Sequence, residues 1–174
     1  NTRRKQAEDD LREERRRLSD VIEGTNTGTW EWDITTGKST YNERWAEMVG
    51  YSLAELAPVA IGTWRRLAHP DDLALSDALL AAHFAGTSPA YDCACRMRHK
   101  EGHWVWVRDR GKVMTWSTDG EPLQMFGTHL DISHEKLAEQ ALRESSQFSA
   151  QVIASAQEGI VVYGTDLRYQ VWNP

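Results

Sequence analysis

Hydrophobic and polar positions change their period twice along the chain, from helical to alternating and back to helical. Residues 2–23, TRRKQAEDDLREERRRLSDVIE, hold no Gly or Pro and consist mostly of strong helix formers. Leu11, Leu18 and Val21 make a narrow apolar stripe near coiled-coil spacing, and Glu8–Arg12 and Glu13–Arg17 are i,i+4 pairs of opposite charge. This predicts an amphipathic helix over 1–23 that pairs with a twin. Next, TWEWDI alternates large apolar with polar residues, Thr35-Thr36-Gly37 turns, and KSTY starts a return strand. Asn42 suits the N-cap of a helix over 43–49 ended by Gly50, and Ser52 with Glu55 has capping-box spacing. In GTWRRLAHPDD a short helix leads to a longer one over 71–84. Pro70 sits at the tolerated first turn, acids lie at the positive dipole end, and Gly86 is the stop.

From Pro89 the period becomes two. YDCACRMRHK, GHWVWVRDRGKVMTW and EPLQMFGTHLDI read as three long strands joined at Glu101-Gly102 and Thr118-Asp119-Gly120. With the earlier hairpin they predict a five-stranded antiparallel sheet, one face under the middle helices, in an α+β architecture. Residues 133–157 are helical again, capped by Ser133, with a lengthwise stripe of Leu137, Ala138, Ala141, Leu142, Phe148 and Val152. The last strand enters this helix through Asp131-Ile132-Ser133 without Gly or Pro. Chains usually break between elements with turn residues, so this stiff exit suggests a mechanical link between sheet and helix.

The tail repeats the beginning in one frame. Val21-Ile22 returns at Val152-Ile153, Gly28 at Gly159 and Asn42 at Asn173, each 131 positions later. Trp30 falls on Val161, Trp32 on Tyr163 and Tyr41 on Trp172. The chain therefore reads as a tandem module, with residues 149–174 starting a second copy and the whole belonging to a longer protein.

Composition narrows the function. The 174 residues are 40% hydrophobic, carry eight Trp and have a formal charge of −6, which fits a globular fold and argues against a general nucleic-acid binder. No apolar run approaches the ~20 residues of a membrane span. Cys93 and Cys95, one residue apart on one strand face, are a poor disulfide frame and read as small buried hydrophobes in a reducing, cytoplasmic compartment. There is no phosphate-binding Gly loop, G-x-S-x-G or H-E-x-x-H, so no enzyme is expected within these residues and no metal site is assigned. His69-Pro70-Asp71-Asp72 is explained as a helix start.

In chain order, GTWEWDITTG, YNERWAEMVGYSLAEL, WRRLAHPDD, RMRHKEGHWVWVRDRG, DGEP and FGTHLDISHEK resemble the PAS domain with its PAC motif, in a Trp-rich subgroup. The resemblance covers about residues 18–136, with the domain itself at 18–132, a linker helix at 133–157 and a truncated second PAS domain after it. It implies the five-stranded sheet and a sensing or relay role in multidomain bacterial signalling proteins. The outputs of such proteins are commonly histidine kinases or cyclic-di-GMP enzymes. It also implies that Asp131, Ile132 and Ser133 pass signal into the linker helix, with Asp131 paired to Arg108 or Arg110.

The resemblance places a ligand pocket between the helices and the sheet. His129, two residues after Gly127, stands where flavin-binding relatives carry a Gln, and His83 lies on the helix where haem-binding relatives carry a His. The light-sensing Asn-Cys-Arg motif is absent. Trp30 with Trp32, and Trp104 with Trp106, share strand faces that suit either core packing or a flat-ring ligand. No cofactor is the first expectation, FAD the alternative, and haem is disfavoured. A small-molecule ligand and a homodimer through the N-terminal and linker helices are the expected partners, with nucleic acid and membrane excluded for these residues. The competing reading is a ligand-free dimerisation relay.

Overall fold

The strands form where the period-two pattern places them. In a computed structural model describing residues 2–156, 161–163, 165–166 and 168–172, β1 (Gly28–Asp33), β2 (Ser39–Tyr41), β3 (Tyr91–Arg98), β4 (Trp104–Trp116) and β5 (Pro122–Asp131) build one antiparallel sheet. The order is β2-β1-β5-β4-β3, so the first and last long strands are central neighbours. Alternation sorts the residues: Cys93, Cys95, Met97, Val105, Val107, Val113 and Met125 face inward and are buried, while Ala94, Arg98, Arg108 and Arg110 face out. Both cysteines are free.

Short helices cover the inner face, and their ends follow local chemistry. α1 (Thr2–Gly24) precedes the sheet, and α2 (Glu43–Glu47) is capped by the Asn42 side chain, which accepts the Trp45 amide. This helix is shorter than the expected 43–49 and carries Trp45, which is 1% exposed. Ser52 and Glu55 form the full capping box of α3 (Leu53–Leu56). After α4 (Ile61–Leu67), the His69 ring caps α5 (Pro70–Phe84) by accepting the Asp71 amide. Past α5 the chain turns at Gly86, whose φ of 74° is the left-handed conformation glycine tolerates.

Asp72 does more than favour the dipole of α5. Its carboxylate accepts the Arg96 backbone amide at 2.8 Å and the Arg96 side-chain Nε and Nη2 at 2.9 and 2.7 Å. The His69 amide donates to the Arg96 carbonyl at 2.8 Å. These bonds tie the start of α5 to edge strand β3 and set the height of the helix over the sheet.

Residues 134–174 form a separate unit. It holds α6 (Ser133–Ser155, continuing from the first unit), two residues shorter than the expected 133–157, and a hairpin of β6 (Val161–Tyr163) and β7 (Tyr169–Trp172). Val161 pairs with Trp172 and Val162 with Val171, whereas β1–β2 pairs Trp30 with Tyr41 and Glu31 with Thr40. The two hairpins thus share a register at the offset read from the sequence, and it slips only at Tyr163. Gly159 and Asn173 of that repeat lie outside the described residues. Among the described residues, no helix is long and apolar enough to cross a membrane.

Acid should release the tie at Asp72. Arg96 holds the Asp72 carboxyl below its ordinary value of 3.8, chiefly by hydrogen bonding. Its contribution is therefore complete above that value and is lost as pH falls through the lower folded one. Asp72→Ala should cost about 1–3 kcal/mol at pH 7. The difference from wild type should shrink steadily below about pH 4 in urea unfolding curves.

Candidate functional site

One row of paired residues crosses all five strands on the inner face. Tyr41 pairs with Trp30, Trp30 with Gly127, Gly127 with Gly111, and Gly111 with Tyr91. The two glycines make room for an indole. A Cβ at Gly127 would come within 2.2 Å of the Trp30 ring and of the Arg110 carbonyl, and one at Gly111 within 2.5 Å of the same ring. Trp30 is thereby laid over the middle of the sheet, and Gly127, expected to border a ligand, serves this packing.

The neighbouring row is polar. His129 pairs with Gly28 on one side and Asp109 on the other, and Asp109 pairs with Cys93. Asp109 is only 5% exposed, so a charged carboxylate there needs several partners. Its Oδ1 accepts the Trp30 indole N–H at 2.8 Å and lies 3.1 Å from His129 Nε2; its Oδ2 accepts the Tyr91 hydroxyl at 3.2 Å. Ser76 on α5 lies 2.8 Å from the Tyr91 oxygen. With the Tyr91 proton directed to Asp109, Ser76 donates to Tyr91, giving a chain from α5 to the carboxylate. Burial, then the Asp109 charge, pushes the Tyr91 pKa far up and keeps that proton in place. Burial also pushes Tyr41 up to about 12.

A narrow cavity of about 30 Å³ opens beside this cluster. Aromatic rings of Trp30, Trp32, Tyr41 and Trp64 line it together with Asp109 and His129. The indole N–H groups of Trp32 and Trp64 are buried without a hydrogen-bond partner. The space suits about one water-sized group, whereas small-molecule sites usually run to about 300–1,000 Å³. The isoalloxazine ring of FAD does not fit this cavity.

The expected site residues divide sharply. Trp30, Trp32 and His129 meet at the cavity. Trp104 and Trp106 belong to the opposite face: the guanidinium of Arg98 lies 5.1 Å from the Trp104 ring and that of Arg96 5.3 Å from Trp106, with the His69 ring 4.5 Å from Trp104. They alternate with Val105 and Val107, which took the inward phase. His83 is buried, and both its ring nitrogens are engaged, Nε2 accepting the Val113 amide at 3.0 Å and Nδ1 lying 3.0 Å from the Ser88 carbonyl. It completes the edge of β4 beyond Gly111, where pairing with β3 stops, and has no nitrogen left for haem iron. Asp109, Tyr91, Ser76, Tyr41 and Trp64 join the site without a motif that marks them in the sequence. A signal for Asp109 was present, since it shares the inward phase of Val105 and Val107.

The strand-to-helix exit is also specific. Asp131 Oδ1 accepts the Ser133 amide at 2.9 Å, the Trp106 amide donates to Ser133 Oγ at 3.1 Å, and the Ile132 amide donates to the Trp106 carbonyl at 2.9 Å. The expected pairing of Asp131 with Arg108 or Arg110 is replaced. Both guanidinium groups bind Asp92 across the β3–β4 ladder, and they hold its carboxyl below the usual range. Leu11, Leu18 and Val21 are exposed along α1.

Removing the hub carboxylate leaves buried donors unmatched. Asp109→Ala should cost about 3 kcal/mol in urea unfolding, because the Trp30 N–H and the Tyr91 hydroxyl both lose their acceptor. Asp109→Asn keeps one acceptor oxygen and should cost less.

Known proteins with the same architecture fit these observations. A family model described as PAS fold matches residues 38–129. The chain is similar to a sensory box histidine kinase/response regulator from Burkholderia thailandensis E264, with 30% identity over 78% of this chain and 98% of that one and a TM-score of 0.69. A histidine-kinase domain named for light and redox sensing, from Haloarcula marismortui, is 25% identical over 67% of this chain and 98% of that one, with a TM-score of 0.53. The N-terminal domain of a diguanylate cyclase with PAS/PAC sensor, from Marinobacter aquaeolei, shares the fold at 21% identity over 63% and 98%, with a TM-score of 0.54. No curated protein matches significantly. With the strand order β2-β1-β5-β4-β3, helices over one face and a family match across more than half its length, the chain belongs to the PAS fold family of sensory domains.

Proposed function

We propose that this chain is a cytoplasmic sensory and relay module of a bacterial signalling protein, carrying a change at its cavity into helix α6. The output domain would be a histidine kinase or a cyclic-di-GMP enzyme, as in the similar proteins from Burkholderia thailandensis and Marinobacter aquaeolei. One observation carries the mechanism: β5 bears His129 beside Asp109 and, two residues on, the Asp131–Ser133 cap bonded to β4. A small shift of β5 against β4 would therefore act on both the cavity and the first turn of α6. Ligand, redox state or a protein partner has only to favour one of two arrangements of these strands.

The exit belongs to the PAC portion of the module in this reading, and the matched registers of β1–β2 and β6–β7 support a second PAS domain beginning at about residue 149. The exposed stripes of α1 (Leu11, Leu18, Val21) and α6 (Leu137, Leu142, Phe148, Val152) support a homodimer through both helices. The small cavity favours a second reading, in which the module binds no ligand and serves as a dimerisation relay.

Removing the cap tests the relay. Asp131→Ala with Ser133→Ala should speed amide exchange in residues 134–138 and at Trp106, whose amide loses its Ser133 acceptor, leave β1 and the rest of β4 protected, and so show the exit to be a local joint. Unchanged exchange in that turn would remove the mechanism. Native mass spectrometry tests assembly and ligand together. The wild-type chain should appear as a dimer and Leu18→Asp as a monomer. Mass in excess of the denatured chain supports the ligand-binding form of the module, and its absence supports the bare relay.

A further inference from the structure

We propose that the tip of the β3–β4 hairpin is a site for a divalent transition-metal ion, Zn²⁺ first, held by His99, Glu101 and His103. The three residues alternate along His99-Lys100-Glu101-Gly102-His103, and the turn gathers them on one side. One ligand atom from each lies within 4.8 Å of the other two. The turn itself is well defined. The His99 amide donates to the His103 carbonyl at 2.8 Å, the Gly102 amide donates to the His99 carbonyl at 2.9 Å, and Gly102 adopts a φ of 97°. The two imidazoles stack with centroids 4.2 Å apart.

The donor set decides the class of ion. Two imidazole nitrogens and one carboxylate suit borderline ions such as Zn²⁺, and three protein ligands leave a fourth position for water. A tetrahedral ion with bonds of about 2.0–2.1 Å brings ligand atoms to about 3.3 Å of each other. Glu101 and His103 are exposed, so their side chains can rotate to close that gap. His99 is the fixed member. Its ring packs against Gly50, where a Cβ would come within 2.5 Å of Nε2, and its Nδ1 accepts the Glu101 amide at 3.2 Å. Nδ1 also lies 3.8 Å from Glu101 Oε2. The ion takes over the Nδ1 lone pair and replaces that long amide bond, with both imidazoles neutral.

Neighbouring cations have partners of their own, although Arg98 Nη2 lies beside Gly102 of the turn. Lys100 binds Glu55, and Arg98 lies against Trp104. The Lys100 amide donates to the Val49 carbonyl at 2.9 Å, just beyond α2, and Trp45 of α2 stands 5.7 Å from the His129 ring. A metal at the tip would therefore stiffen a segment already joined to the helix that packs against His129.

The experiment uses the chain without an affinity tag, stripped with EDTA, dialysed and titrated with ZnCl₂ by calorimetry at pH 7.5. One ion per chain should bind with micromolar affinity, at least about tenfold more weakly in His103→Ala and Glu101→Ala. His134→Ala, an exposed histidine on α6, should bind as wild type does. Zn²⁺ should also raise the melting temperature of the wild type and not of His103→Ala. Binding only at millimolar concentration, or equal binding by His103→Ala, would overturn the assignment, as would loss of binding in His134→Ala. Circular dichroism of each variant establishes that it is folded before titration.

Discussion

The arrangement of this sensory domain depends on one indole lying over two glycines. Trp30 reaches Asp109 because Gly111 and Gly127, paired across β4 and β5, carry no side chains beneath it. The bond from its N–H to Asp109 then orients the buried carboxylate, and Tyr91, Ser76 and His129 complete the surroundings. Sheet register, cavity shape and the carboxylate lining the cavity are thus set by one row of residues and its neighbour.

Much of this is legible in the amino-acid sequence. Strand phase, the caps at Asn42 and Ser52 and the stop at Gly86 are local, and local signals were sufficient for them. The face of a strand was readable from its own alternation, yet Trp104 and Trp106 were grouped with Trp30 and Trp32 by residue type. The inward phase belongs to Val105 and Val107, and indole size does not outweigh the pleat. Asp109 was missed for a different reason. Its role comes from residues 79 positions away at Trp30 and 20 away at His129, and only the sheet register brings them together. His83 shows the same limit, since its partner at Val113 lies on a strand edge that one sequence does not reveal.

The exit from β5 illustrates how a local motif and a tertiary one can share residues. Asp131 and Ser133 cap a helix as their residue types predict. The same serine accepts from the Trp106 amide, so the cap is also a bond to the adjacent strand. Arg108 and Arg110 are occupied by Asp92 instead, and that outer-face cluster joins β4 to the edge strand. The polar contacts therefore fall into two sets, one on each face of the sheet.

That division gives the domain two optically distinct populations of tryptophan. Trp30, Trp45 and Trp64 are buried beneath the helices, whereas Trp104 and Trp106 stand half-exposed beside guanidinium groups on the other side. Emission from the buried group should be blue-shifted and shielded from a dissolved quencher such as acrylamide, and the outer pair, together with the more exposed Trp116, should dim before it. The protein thus carries its own labels for both surfaces of the sheet, without any dye attached.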